Sequence, residues 1–309
     1  MPDQPLIRLG TRRSPLAMAQ ALEARARLCA AHDWDESAVE LVPVVASGDK
    51  IQDRPLAEIG GKALWTRELD HWLLEGRIDA AVHSMKDVET IRPEAIAIGA
   101  ILPRADKADR LLGAASIADI PAGARVGTSA PRRAAQLLNL RPDLNVVGIR
   151  GNVATRMAKL AAGAVDATFL AAAGLDRLGA DEEGVRLDPE AWLPAPAQAA
   201  IGLECRSNDA RMCDLLGPVD HPGSHAEIRA ERRLLEGLGG SCSSPIAALS
   251  HRIGERMSLN AAIFSPDGKV RIAGNTEFAI GDENAPFDLA KSLLDGAPPE
   301  VAEHFGYSV

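Results

Sequence analysis

The sequence predicts an α/β protein whose sheets carry helices on their faces, closed by a small α+β domain. Three observations point there. Short apolar runs alternate with amphipathic stretches, most regularly after residue 121, in the spacing of parallel strands and crossover helices. Several strands stop on polar, mostly basic clusters, and strand ends are where open α/β sheets bind and react. The 309 residues are 46% hydrophobic and 25% charged, a globular composition long enough for two or three domains.

In chain order, IRL at 7–9 begins a strand that runs into Gly10, Thr11, Arg12 and Arg13. Ser14 suits an N-cap and Pro15 a first helical residue for the periodic LAMAQALEARARL. Two arginines and a hydroxyl at a helix N-terminus read either as an anion site or as a cap with surface arginines. VELVPVVA, 39–46, is the next strand. Residues 47–62, with a Gly-Gly pair before Lys62, lack periodicity and read as a loop. A helix is expected over 63–75, with Trp65 and Trp72 on its apolar face. DAAVHSMKD, 79–87, is a short strand that stops on His83, Ser84, Lys86 and Asp87. That carboxylate beside an ammonium is either acid/base machinery or a cap next to a solvated lysine. IAIGAIL, 96–102, is a buried strand, and PRADKADR, 103–110, marks a boundary.

Beyond it, ARVGTS leads through a turn to Arg132 and Arg133, which open the helix RRAAQLLNL. NVVGI ends in Arg150, Gly151 and Asn152, and the following helix carries Thr155, Arg156 and Lys159. DATFLAA reaches the turn before Leu175, Asp176 and Arg177. Basic clusters repeated at strand-to-helix junctions argue for a cleft that holds several negative charges. LPAPAQAAIGLECR, 193–206, returns to a strand, a helix starts near Ala226, and the remainder alternates short strands with a closing helix.

The formal charge of −9 disfavours a general nucleic-acid binder. No apolar run reaches membrane-spanning length, and MPDQPLIRLGTRR has no signal-peptide core, so no membrane partner is expected. Four cysteines do not make a disulfide framework at this length, and a cytoplasmic setting is expected. Dinucleotide, P-loop and G-x-S-x-G motifs are all missing. Seven residues separate Cys205 from Cys213 and Cys213 from His221, which does not suit zinc, and no metal is expected. Cys29 and Cys205 read as core. Cys242, in GGSCSS, is a reachable loop thiol, either inert or used for covalent chemistry or attachment.

Taken together, these clusters resemble the porphobilinogen deaminase family, also called hydroxymethylbilane synthases. The motifs are GTRRSPLA at 10–17, IGGKALWTRELD at 59–70, AVHSMKD at 81–87, VGTSAPRRAAQL at 126–137 and IRGNVATR at 149–156. AAAGLDRLG at 171–179, LPAPAQAAIGLECR at 193–206 and GGSCSSPIA at 239–247 complete the set. The resemblance implies two α/β domains like those of periplasmic binding proteins, flanking a cleft: 1–103 with 203–219, and 104–202. A small α+β domain, 223–309, would carry the attachment cysteine.

The implied enzyme is a transferase of tetrapyrrole and heme biosynthesis. It condenses four porphobilinogen molecules head to tail on a covalent dipyrromethane primer, releasing ammonia, and then hydrolyses the product to hydroxymethylbilane. Cys242 matches the thioether attachment residue. Asp87 matches the catalytic aspartate, expected to bond pyrrole N–H groups and to stabilise a cationic, azafulvene-like intermediate. Arg12, Ser14, Lys86, Thr128, Ser129, Arg132, Arg133, Arg150, Arg156 and Arg177 look like the groups that bind acetate and propionate, which arginine's planar fork suits. Lys62 is expected to close over the cleft. His83 is either a further contributor or a satisfied structural histidine. The partner is then the small molecule porphobilinogen, and the chain is expected to be a monomer.

Two places depart from the family pattern. Pro196, Ala197 and Ala199 flank the glutamine where glycines are usual, and should stiffen that crossing. Ser241 stands where a glycine commonly precedes the modified cysteine. Two rival readings are a non-catalytic binding protein for a small polycarboxylate and a thiol enzyme that uses Cys242 transiently. The first leaves Asp87 and Cys242 without a role, and the second has no need of so many arginines.

Overall fold

The computed structural model describes residues 5–44, 66–240 and 243–305. Lys62, Trp65, Ser241 and Cys242, with the expected 47–62 loop, lie outside the described residues. In chain order the elements are β1 (Ile7–Arg12), α1 (Pro15–His32), β2 (Val39–Val44), α2 (Arg67–Leu74), β3 (Ala80–Ser84), β4 (Ile96–Ile101) and β5 (Asp109–Leu112). There follow β6 (Arg125–Gly127), α3 (Pro131–Leu140), β7 (Asn145–Val147), α4 (Val153–Ala161), β8 (Ala167–Ala171), α5 (Ala172–Asp176) and β9 (Val185–Arg186). The last are β10 (Ile201–Arg206), α6 (Ala210–Leu216), α7 (Pro222–Gly237), β11 (Ile246–Ile253), β12 (Arg256–Phe264), β13 (Arg271–Ala279), α8 (Asn284–Asp295) and α9 (Pro299–Ala302).

The chain divides into two compact units, residues 1–105 with 199–225 and residues 106–198 with 226–309. In the first, the sheet order is β2-β1-β3-β10-β4. β1 is parallel to β2 and β3, whereas β10 runs antiparallel to both β3 and β4. Ile7, Leu9, Val82, Leu203 and Cys205 pack from this sheet against Ala21, Ala24 and Leu28 of α1. The small alanines let that helix lie close to the sheet. Its start follows the sequence signal: Pro15 opens it, and the Ser14 hydroxyl accepts from the Ala17 amide at 3.3 Å.

In the second unit one sheet has the order β7-β6-β8-β5-β9, with β6, β7 and β8 parallel and β5 antiparallel to β8. The stretch read as a boundary, 103–110, therefore contains the start of a strand, and Asp109 at its head is fully buried. The other sheet, β11-β12-β13, is antiparallel, and its core joins Ile246, Leu259 and Ile263 to Leu234 of α7 and Leu293 of α8. α7 begins at Pro222 rather than near Ala226. Proline is tolerated in a first helical turn, and the Ser224 amide is satisfied by His221 Nδ1 at 3.1 Å.

The two alanines beside Gln198 have left-handed backbone angles, φ +60° at Ala197 and +70° at Ala199. Ala197 is held there by donating its amide to buried Glu231 at 2.5 Å. Gln198 between them donates Nε2 to the Lys107 carbonyl and to Asp109 Oδ1, each at 2.8 Å. A Cβ in this conformation meets its own backbone at a cost of about 1–2 kcal/mol, partly offset by alanine's lower unfolded-state entropy. Ala197→Gly and Ala199→Gly should each stabilise the protein, by roughly 0.5–1 kcal/mol, seen as higher denaturant midpoints. Lowered midpoints would show that the fold carries no strain at these alanines.

Candidate active site

In the first unit, parallel β1 and β3 bring their carboxyl ends to one edge of the sheet. Arg12, half-buried, closes β1, and Ser14 follows as the cap of α1. At the end of β3 the Ser84 hydroxyl accepts from the Gln20 amide of α1 at 2.8 Å. The chain then makes one 3-10 turn, Met85–Asp87. Met85 is buried against Gly202 of β10, where a Cβ would overlap its thioether. This close approach requires glycine. With Met85 pinned, Lys86 and Asp87 are left half-buried at the sheet edge.

The two ends of this strand differ in their charge pairing. Asp79, just before β3, is paired with Arg8 at 2.8 Å. The Asp87 carboxylate makes no hydrogen bond or ion pair with any described residue.

Behind the turn lies a buried ionic network. Arg92 donates Nε and Nη2 to the two oxygens of Glu204 at 2.9 and 2.8 Å, Nη1 to Glu89 at 2.8 Å, and Nη2 to Asp70 at 2.6 Å. The Thr66 hydroxyl donates to Glu89 at 2.9 Å. His83 is buried, with Nε2 3.2 Å from Glu204 but not aligned for a hydrogen bond. Burial alone would raise the Glu204 carboxyl, but His83 and Arg92 override it and hold it at about 2. For Asp70 burial wins over Arg92, and its carboxyl is pushed up. Asp70, His83 and Glu204 place ligand-type atoms within 4.8 Å of one another, yet the cation between the two carboxylates is the Arg92 guanidinium.

In the second unit, parallel β6, β7 and β8 likewise end at one edge. After β6, the Thr128 hydroxyl accepts from the Ala130 amide at 3.1 Å and exposed Ser129 donates to the Ile149 carbonyl at 2.7 Å. After β7, Arg150 is half-buried, and Gly151 takes φ +117° to turn the chain into α4. Asn152 caps that helix, accepting from the Thr155 amide at 2.9 Å, and Arg156 donates Nε to the Gly151 carbonyl at 2.9 Å. After β8, Arg177 caps the single turn of α5 and is half-buried.

Arg132 and Arg133 are placed differently from the other arginines. Both are buried beneath α3 on the carboxylate of Asp109: Arg133 donates Nε and Nη2 to it at 3.0 and 2.7 Å, and Arg132 donates Nη2 at 2.8 Å. Trp192 Nε1, at 2.9 Å, and Gln198 Nε2 complete the cluster. Burial opposes ionisation of Asp109, but the charges of Arg132 and Arg133 hold its carboxyl far below the usual range.

Two guanidiniums against one carboxylate leave one positive charge in a buried place. Arg132 Nε–H has no partner among the described residues. Burial and neighbouring Arg133 both push the Arg132 guanidinium down.

Asp109, Trp192, Gln198, Arg92 and Glu204 were not singled out from the sequence. Glu204 did leave a signal there, as a charge inside the apolar strand IGLECR, which must be paired if the strand is buried.

Residues 7–214 match the family described as "Porphobilinogen deaminase, dipyromethane cofactor binding domain", and residues 225–296 match "Porphobilinogen deaminase, C-terminal domain". The porphobilinogen deaminase of Sphingopyxis alaskensis is 53% identical over 98% of both chains. That of Paracoccus denitrificans is 47% identical over 100% of this chain and 99% of its own. Among solved structures, the periplasmic VFT2 domain of Bordetella pertussis BvgS reaches a TM-score of 0.40 at 16% identity, covering 74% of this chain and 93% of that one, too weak a likeness to carry an argument.

The matched cofactor-binding domain and the two full-length relatives define a cofactor-dependent transferase. The chain belongs to the porphobilinogen deaminase family. It condenses porphobilinogen into hydroxymethylbilane and uses a dipyrromethane cofactor. That membership does not favour the reading as a non-catalytic polycarboxylate binder. No helix among the described residues is long and apolar enough to cross a membrane.

The depressed Glu204 carboxyl makes a pH prediction. Its ionised form is favoured in the folded chain, so its contribution is present above its ordinary value of 4.5 and is lost as pH falls through about 2. Glu204→Gln should lower stability at neutral pH by about 2 kcal/mol and flatten the loss of stability between those two pH values. Unfolding curves that shift in parallel at every pH would contradict the pairing.

Proposed function

We propose that Asp87 is the catalytic group of the condensation and that Cys242 carries the dipyrromethane as a thioether. Arg12, Ser14 and Lys86 of the first unit, and Thr128, Ser129, Arg132, Arg133, Arg150, Arg156 and Arg177 of the second, bind the carboxylates of the pyrrole chain. The chain divides into domains 1–103 with 203–219, 104–202 and 223–309, a reading supported by the presence of three separate sheets, with β10 entering the first from Ile201. The chain acts as a cytoplasmic monomer on a small molecule, with neither nucleic acid nor membrane as a partner.

The observation that carries this reading is the Asp87 carboxylate, held at a strand end with no partner among the described residues. Its lone pairs are open to a pyrrole N–H. Loss of ammonia from porphobilinogen leaves positive charge on that ring, and a fixed carboxylate beside it lowers the barrier electrostatically. The arginines pair with the ring's acetate and propionate and hold its methylene carbon at the chain end. When bound, the dipyrromethane supplies the free pyrrole position at which the chain grows. The surplus charge on the Asp109 cluster gives Arg132 and Arg133 their attraction for its carboxylates.

Asp87→Asn should keep the fold and the primer mass while turnover falls by about 100-fold or more. In the same preparation a two-pyrrole increment should map to the peptide containing Cys242 and resist thiol reductants, because a thioether does not exchange. Near-normal turnover would remove Asp87 from the mechanism. An increment on another cysteine, or on none in active enzyme, would remove Cys242.

A further inference from the structure

The turn that bears Asp87 is flanked on both sides by one buried ion network, bonded to it on the Glu89 side and in close approach at His83. Before it, His83 lies 3.2 Å from Glu204. After it, Glu89 receives the Thr66 hydroxyl at 2.9 Å and Arg92 Nη1 at 2.8 Å. Arg92 joins the two sides, since its other nitrogens hold Glu204 at 2.9 and 2.8 Å. Glu204 is fully buried on β10, the strand whose Gly202 also receives Met85 of the turn. Asp87 itself takes no part in the network, which holds the chain on either side of it and leaves its carboxylate un-neutralised.

We infer that Glu204 and Arg92, with Glu89, are positioning residues for the condensation: they set the place and direction of the Asp87 carboxylate without touching substrate. This rests on the reading of Asp87 as the catalytic group. A side chain that stabilises charge only at the transition state is sensitive to small displacement, and about 1 Å can cost on the order of 100-fold in rate. Of the proposed carboxylate-binding groups only Lys86 shares this turn, and the others lie elsewhere on the chain. Loosening the clamp should therefore lower kcat and leave KM nearly unchanged.

The test uses holoenzyme carrying the primer, with kcat expressed per primer-loaded molecule and porphobilinogen as substrate. Glu204→Gln keeps the shape of the side chain and removes its charge. Glu89→Gln, at the partly exposed end of the network, serves if Glu204→Gln does not fold. The expected result is a fall in kcat of about ten- to 100-fold with KM within about twofold of the parent. Arg92→Lys, which cannot reproduce the fork, should show the same split.

A kcat within about twofold of the parent in the folded, loaded Glu204→Gln or Glu89→Gln protein overturns the inference. So does a loss that appears in KM alone. Asp87→Asn is measured alongside. If it is inactive while the network variants are fully active, only the positioning role fails. If it is itself active, the reading of Asp87 fails and the inference falls with it.

Discussion

Charge removed from water must be paired, and this chain buries it next to its functional strand ends in both units. A carboxylate or guanidinium stripped of solvent without a partner would cost several kcal/mol, a large share of the stability of any domain. In the first unit Arg92 answers Asp70, Glu89 and Glu204. In the second Asp109 answers Arg132 and Arg133. Each cluster ties together segments that are distant in sequence. Neither can shift without exposing a charge to an apolar interior.

The two clusters have opposite balances, and that matches what lies beside them. Around Arg92 negative charge predominates, and the neighbouring edge presents Asp87, the carboxylate suited to a pyrrole N–H and to a cationic ring. Around Asp109 positive charge predominates, and the neighbouring edge carries Arg150, Arg156 and Arg177, the groups proposed to bind carboxylates. The backbone shares in this arrangement. Gln198, between two alanines in left-handed conformation, is bonded directly to Asp109. Strain at that crossing is thus held by two buried carboxylates, Glu231 at the Ala197 amide and Asp109 at the Gln198 side chain.

Local features were legible in the sequence. Ser14 and Pro15 marked the start of α1, the apolar runs marked most strands, and polar clusters marked strand ends, because caps, periodicity and turns act over a few residues. Of the long-range features, the return of 203–219 to the first domain came only with the family resemblance. β10 enters the first sheet antiparallel between β3 and β4, although it lies about a hundred residues beyond them, and no periodicity encodes that pairing. Arg132 and Arg133 read from the sequence as carboxylate-binding groups at a helix start, and their pairing with Asp109, 23 and 24 residues away, is not encoded there. Asp109 itself sat in a charged stretch that reads as a boundary, and the division between the units does fall there, at 105/106. The start of α7 was placed late because proline and glycine read as breakers, although the first turn of a helix tolerates proline.

The central claim is that Asp87 performs the chemistry and that the buried network acts through it. A double-mutant cycle on kcat between Asp87→Asn and Glu204→Gln, measured in primer-loaded enzyme, tests this most directly. If Glu204 works by placing the Asp87 carboxylate, the double variant should be no slower than Asp87→Asn alone. Losses that multiply would mean that the two residues act independently, and would contradict the account.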